Sequence, residues 1–247
     1  MKRITVVFEN EWLLVLDKPA GLAVQGGEGV KVSLDELLAG EYSPRPLLVH
    51  RLDRDTSGLV LVAKNREAAG VLAPLFSGKG GEKRIRKRYA AVCAGVFARK
   101  KGDIRERLVV RGSERDALTS YTVMEENGKF SLAGLEPGTG RMHQIRRHLA
   151  RLGNPVLGDD KYGDFSLNKR LGKTAGLRRL LLHAAGLGIP PLPLFGISRP
   201  LDLEAPLPGY FAEFCEAEFP GCSGVRFPSA PSQPPWPEQS EASFRYR

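Results

Sequence analysis

The sequence predicts an α+β chain, and three features predict it. Short apolar runs bounded by Gly, Pro, Asn and Asp recur along its length as strand signals. Only a few stretches carry a helical period. At 247 residues the chain is long enough to bury a full core, and strands alternating with few helices fit a sheet with helices packed against it.

Taken in order, Ile4 to Phe8 and Leu13 to Leu16 form two strands joined by the tight turn Glu9-Asn10-Glu11. Asp17-Lys18-Pro19-Ala20-Gly21 then stops the second strand with turn residues. A short helix is expected over Ser33 to Leu38, and a proline-bounded loop, Tyr42 to Pro46, returns the chain to a strand, Leu47 to Val49, that delivers His50. His50 to Lys64 opens with a dense polar cluster, turns at Gly58 and runs apolar from Leu59 to Ala63, so a polar loop feeds a buried strand. Asn65 is the N-cap of a helix reaching Phe76. A strand begins at Lys87-Arg88-Tyr89, and Arg99-Lys100-Lys101-Gly102 reads as a hairpin turn able to touch phosphate.

Ala117 to Met124 and Phe130 to Leu135 are strands joined through Glu125-Glu126-Asn127-Gly128. Gly140 to Gly153 has a helical period that puts Met142, Ile145, Leu149 and Leu152 on one stripe, His143, Arg147 and Arg151 opposite, and Arg146 on the flank between core and solvent. Asn168 to Arg179 is a second basic stretch, and Leu181 to Ala184 a strand. A short acidic helix covers Tyr210 to Glu218. Residues 219–247 are rich in Pro and Ser and are expected to be a tail, disordered or draped on the surface, behind one domain over residues 1–218.

The charge balance, 37 Lys and Arg against 28 Asp and Glu, leaves a net +9, and the basic groups cluster, as a polyanion-binding surface requires. Lys79 to Arg88 holds six basic residues and one Glu, a density at which like charges repel unless an anion meets them. Three cysteines, Cys93, Cys215 and Cys222, support neither a disulfide framework nor a zinc ribbon, so a cytoplasmic protein is expected. The N-terminal apolar run is too short for a signal peptide, and nothing approaches a membrane span. A monomer is expected.

The chemistry points to Asp53. Flanked by Arg51 and Arg54, its carboxylate should stay ionised and is poised as a nucleophile or base; the alternative for the same pattern is a surface turn laced with salt bridges.

HRLDRDTSG, residues 50–58, followed by the apolar strand and Ala63-Lys64, resembles the signature of the RluA-type pseudouridine synthases, and other segments resemble that family's motifs in the same order. Lys18-Pro19-Ala20-Gly21 resembles a loop at the edge of its cleft, and Lys87 to Ala91 its K-x-Y-x-A segment. Gly140 to Leu149 resembles its GRTHQIRxHL helix, with Met142 in place of the usual threonine. Asn154 to Gly163 resembles its xPIxGDxxYG loop, read here as mainly structural, and Leu182-His183-Ala184 its LHA strand. Ile189 to Leu203 departs from the family's pattern. All four histidines lie inside these motifs, and His143 and His148 are five apart, off a common helix face, so no metal is expected.

The resemblance, covering roughly residues 4 to 215, implies an α+β pseudouridine synthase fold: a long mixed, mostly antiparallel sheet with flanking helices and a central RNA-binding cleft. It implies that Asp53 is the catalytic residue, that Arg146, preferred to Arg141, pairs with it, and that Tyr89 and Leu182 enclose the target uracil. Arg51 or Arg54 would fill the vacancy left by a flipped base. Lys18, Lys83, Arg84, Arg86, Lys87, Arg88 and Arg141 are the further candidate RNA contacts. No cofactor is implied, because the cleaved uracil is itself the nucleophile for rejoining. The expected partner is RNA, large-subunit ribosomal RNA first and transfer RNA as the alternative. The start of the chain leaves no room for the small basic module that many members carry there. A non-catalytic RNA-binding protein of the same fold, or an RNA hydrolase using Asp53 as base, are the rival classes.

Overall fold

The computed structural model describes residues 2–77, 84–110, 112–220 and 243–246. In chain order the elements begin β1 (Lys2–Glu9), β2 (Leu13–Lys18), α1 (Leu34–Glu41), β3 (Leu47–Leu48), β4 (Ser57–Ala63), α2 (Arg66–Ser77), β5 (Arg86–Ala94) and β6 (Lys101–Val110). They continue with β7 (Ser113–Glu126), β8 (Phe130–Pro137), α3 (Gln144–Arg151), α4 (Phe165–Thr174), β9 (Leu182–Ile189), β10 (Leu201–Glu204), α5 (Gly209–Glu218) and β11 (Ser243–Tyr246). The α+β class stands, with mostly antiparallel pairing. The chain divides into two compact units, Met1–Arg86 with Gly186–Pro206 and Ser229–Arg247, and Lys87–Ala185 with Leu207–Pro228.

In the first unit β4 lies between β2 and β3, antiparallel to both. All seven of its residues are buried, which is why an unbroken apolar run suits it. Its core gathers Leu13, Leu59, Leu61, Leu72 and Phe76 with Leu187 and Phe195. Local chemistry sets the element ends. The Asn10 side chain accepts the Trp12 and Leu13 amides at 2.8 and 2.9 Å and closes the β1–β2 turn. Ser33 and Glu36 form a reciprocal capping box on α1, and Asn65 accepts the Ala68 amide at 2.8 Å to start α2.

In the second unit β5, β8, β7 and β6 pair antiparallel in that order. Ile145 and Leu149 of α3 pack with Ile104, Tyr121, Leu135 and Leu182, while Phe211 and Phe214 of α5 pack with Phe130, Leu132 and Leu157.

Three regions depart from the expectations, and a fourth, the basic stretch given no element from the sequence, is helical. Lys101 and Gly102, expected in a hairpin turn, open the ten-residue β6; its apolar Ile104 and Leu108 are four apart, and alternation survives only because Asp103, Arg105 and Arg107 occupy the exposed face. The basic stretch from Asn168 lies largely on α4, which is capped by Asp164 accepting the Leu167 amide at 2.9 Å. Ser243–Tyr246, inside the expected tail, pairs antiparallel with β1, Lys2 opposite Tyr246. The helix expected from Gly140 starts only at Gln144. His143 takes a left-handed conformation (φ 53°), and the Gln144 side chain accepts the Arg141 amide at 3.0 Å while donating to the Leu118 carbonyl at 2.8 Å. Met142 is therefore exposed ahead of the helix, Leu152 is exposed just past it, and Arg146, expected on the flank, is only 5% exposed.

Candidate active site

In the first unit, β3 and β4 bracket a loop that holds Asp53 half-buried between exposed Arg51 and Arg54. Leu52 plugs into the interior and anchors it, and the Thr56 amide donates to the Asp53 carbonyl at 3.2 Å. Arg54 Nε lies 3.8 Å from Asp55, a pair too exposed to hold the loop by itself. His50 is packed flat on Phe76, ring centroids 3.9 Å apart, and its Nε2 accepts the Leu61 amide at 2.8 Å, which requires that nitrogen to carry no proton.

Lys18, expected among the RNA contacts, is corrected by the structure: it is fully buried. Its Nζ donates to the carbonyls of Pro19, Leu22 and Arg54 at 3.0, 2.9 and 3.0 Å, so all three donors are spent inside the protein. The Arg54 carbonyl also accepts the Gly21 amide at 2.9 Å, so Lys18 ties the loop after β2 to the loop that carries Asp53. Burial pushes the ammonium down to about 7 against the pull of Asp55, Asp53 and Asp17. Burial likewise raises Asp17 to about 6.

The second unit places Tyr89 and Leu182 at one apolar cluster. Tyr89, half-buried on β5 opposite Leu135, packs on the same apolar cluster that contains the buried Leu182. Arg146 projects from α3 into a fork. Its Nε and Nη2 donate to the two oxygens of Asp159 at 2.8 and 2.7 Å, and Nη2 also reaches Asp160 at 3.1 Å. The Tyr162 ring lies 5.4 Å from the guanidinium, and the Tyr162 hydroxyl meets His143 Nδ1 at 3.0 Å.

Asp159 also accepts the backbone amides of Lys161 and Tyr162, each at 2.9 Å. Burial alone would raise this carboxyl, but the bonds from Arg146, Tyr162 and Lys161 outweigh it and hold the carboxyl below the usual range. The loop can wrap this tightly because two glycines allow it: a Cβ on Gly158 (φ 75°) would sit 2.0 Å from the Arg179 carbonyl, and one on Gly163 would sit 2.3 Å from that of Asp159. This loop, read from sequence as mainly structural, is therefore what positions Arg146. The available signal was an acidic residue bracketed by two glycines shortly after a buried-face arginine.

The remaining basic candidates separate by exposure. Arg84 and Arg86 are exposed, and Lys87 is half-buried with Nζ 3.4 Å from the Thr139 carbonyl. Arg88, expected among the RNA contacts, is only 3% exposed: it shares a strand face with the exposed Arg86 but sits next to the buried Ala90 and Val92, where that face enters the core, so it presents no charge at the surface. Lys83 lies outside the described residues. Arg141 is half-exposed, and its Nε donates to the Asp116 carbonyl at 3.3 Å. His148 is buried with Nδ1 2.9 Å from Thr119 Oγ1, so it and His143 each serve local packing and bonding.

Among the described residues, no helix is long and apolar enough to cross a membrane. Residues 12–151 match the family model described as RNA pseudouridylate synthase. Similar proteins include ribosomal large subunit pseudouridine synthase C of Vibrio vulnificus, 35% identical over 82% of this chain and 65% of that protein. The Escherichia coli protein of the same name is 38% identical over 74% of this chain and 60% of its own length. RNA pseudouridine synthase 4, mitochondrial, of Arabidopsis thaliana is 38% identical over 64% of this chain and 40% of its own. The chain thus spans less than two thirds of the length of these relatives. Among solved structures, human RNA pseudouridylate synthase domain containing 4 superposes with a TM-score of 0.69 at 25% identity, covering 86% of this chain and 92% of that one. The match takes in the Asp53 loop, Tyr89 and Arg146, and the chain belongs to the RNA pseudouridylate synthase family.

Proposed function

We propose that this protein isomerises uridine to pseudouridine in structured RNA, with large-subunit ribosomal RNA as the substrate. The carrying observation is the anchoring of the Asp53 loop by Lys18: a carboxylate on a loop tied down at the neighbouring Arg54 carbonyl, flanked by exposed arginines, is built for chemistry on a polyanion. Asp53 either attacks the anomeric carbon of the ribose or removes its 2′ proton. In both routes the bond from ribose to uracil nitrogen breaks, the base turns within its pocket, and carbon 5 joins the ribose. Such chemistry requires a base taken out of the stack.

Tyr89 supplies the flat surface against which the uracil turns, and Leu182 closes the apolar side of its pocket; their packing on one cluster supports this pairing. Arg146 is assigned the charge-assisted partnership with Asp53 that the family resemblance implies; within its own unit the guanidinium is oriented by Asp159. Arg51 or Arg54 fills the place of the flipped base. Arg84, Arg86 and Lys87 meet phosphate. The ribosomal assignment is supported by the relatives named as large-subunit enzymes; transfer RNA is the second reading, since members acting on it share these motifs. Mapping pseudouridines by carbodiimide modification and primer extension in cells lacking the gene tests it. Loss confined to large-subunit ribosomal RNA is expected, loss confined to transfer RNA would replace the substrate, and no loss in any RNA would refute the isomerase reading.

A further inference from the structure

α4 and the turn after it carry an exposed basic stretch with no acidic residue interspersed. Between Asp164 and Asp202 the sequence contains no Asp or Glu, while Lys169, Arg170, Lys173, Arg178, Arg179 and Arg199 fall inside that interval. On α4, Leu171 is buried and Leu167 packs beside it on the Phe211 and Phe214 cluster. At 100° per residue this leaves Phe165, Lys169 and Lys173 as one outward ridge, each a turn from the next, with Arg170 alongside. All four are exposed, Phe165 to 60%, an unusual position for a large aromatic. Among the described residues, Lys169, Arg170, Lys173 and Arg178 have no carboxylate partner. Arg179 differs, stacking on Tyr210 at 5.9 Å.

The helix is also tied to the loop that holds Arg146. Asn168 accepts the Gly158 amide at 2.9 Å and donates to the Asp159 carbonyl at 3.0 Å. One flank of α4 is thus fixed to the segment whose carboxylate forks Arg146, and the basic ridge is held on the same short framework.

We propose that the outward face of α4, Phe165, Lys169, Arg170 and Lys173 with Arg178 beyond it, is a second RNA-contact surface: it grips the phosphates of the substrate strand and stacks an unpaired base on Phe165. The substrate class rests on the isomerase reading; the surface itself rests on charge complementarity with a polyanion and on the exposed aromatic, the pairing that single-stranded nucleic acid requires. A surface that only needed solubility would intersperse both signs of charge.

The test uses the full chain and an in vitro transcript of large-subunit ribosomal RNA. The triple variant Lys169→Ala, Arg170→Ala, Lys173→Ala should retain its melting temperature, because none of the three is buried. Its slope of log affinity against log salt should fall by about 0.7 for each single-strand phosphate no longer neutralised, roughly 2 in all. KM for uridine isomerisation should rise about tenfold or more with kcat unchanged, and the Lys→Arg double variant at 169 and 173 should behave as wild type. Phe165→Ala should weaken binding about tenfold without changing the slope. A triple variant with unchanged slope and unchanged KM would overturn the proposal. Binding is read by filter retention and so does not depend on activity: wild-type protein that isomerises nothing, combined with a reduced slope in the variant, would leave the surface standing and remove the isomerase reading instead.

Discussion

Replacing Asp159 by alanine is the sharpest structural test of how the site is held. The side chain is fully buried and takes both Nε and Nη2 of Arg146, itself 6% exposed at the side chain, so the substitution leaves a guanidinium in the interior. Removing one partner of such a pair costs about 3–5 kcal/mol. At about 2–4 °C per kcal/mol for a chain of this size, the melting temperature should fall by roughly 6–20 °C. Asp160→Ala is the internal control: it removes a 3.1 Å bond to the same nitrogen, but its carboxylate is 80% exposed, so less than about 1 kcal/mol is expected. The linkage sign follows from the depressed carboxyl. Because Asp159 is held below its unfolded value, near 4, its contribution is complete above about pH 4 and is lost as pH falls through the folded value. The gap between wild type and Asp159→Asn should therefore narrow on acidification. Equal losses in Asp159→Ala and Asp160→Ala would refute the claim that the buried fork, rather than the local charge, positions Arg146.

Gly158→Ala should destabilise by more than about 2 kcal/mol in chemical denaturation, since a Cβ there lies 2.0 Å from the Arg179 carbonyl and the backbone has φ 75°; a loss under about 0.5 kcal/mol would contradict the packing of this loop. Lys18→Met should speed amide exchange at Gly21 and Thr56 about tenfold and lower kcat, because the Arg54 carbonyl loses the lysine that ties it down. With the Lys18 ammonium at about 7 in the folded chain and near 10.4 unfolded, the unfolded state binds more protons between those values, so wild-type stability gains with pH across that window relative to Lys18→Met; a flat difference would show that the lysine is not buried as described. Neutralising Arg84, Arg86 and Lys87 together should reduce the salt slope of RNA binding by about 0.7 for each phosphate these side chains neutralise, whereas an unchanged slope would make this run a solvated face.

Most of the fold was legible wherever one signal dominated: an unbroken apolar run at β4, a side-chain cap at Asn65, and an Asn-Gly turn between β7 and β8. It was not legible where the strand period was carried by charges, as in β6, or where pairing came from residues far away in sequence, as between Ser243–Tyr246 and Lys2–Thr5. The site followed the same division. Asp53, Tyr89 and Arg146 were singled out by motif and charge, and the roles given to them stand as proposals. Lys18 and Arg88 looked like solvent-facing cations because composition does not show how deep a side chain lies; three backbone carbonyls claim the first, and the second stands where its strand face runs into the core beside Ala90 and Val92. Asp159 was passed over because its role arises only when α3 and the loop after it pack together.

The central claim is that Asp53 performs chemistry while the cationic surface supplies affinity. It is tested most directly by comparing wild type and Asp53→Asn in tritium release from RNA carrying carbon-5-labelled uridine, with filter binding on the same RNA. The variant is predicted to give no detectable release and to keep an affinity within a few-fold of wild type. Release near the wild-type rate would contradict the claim.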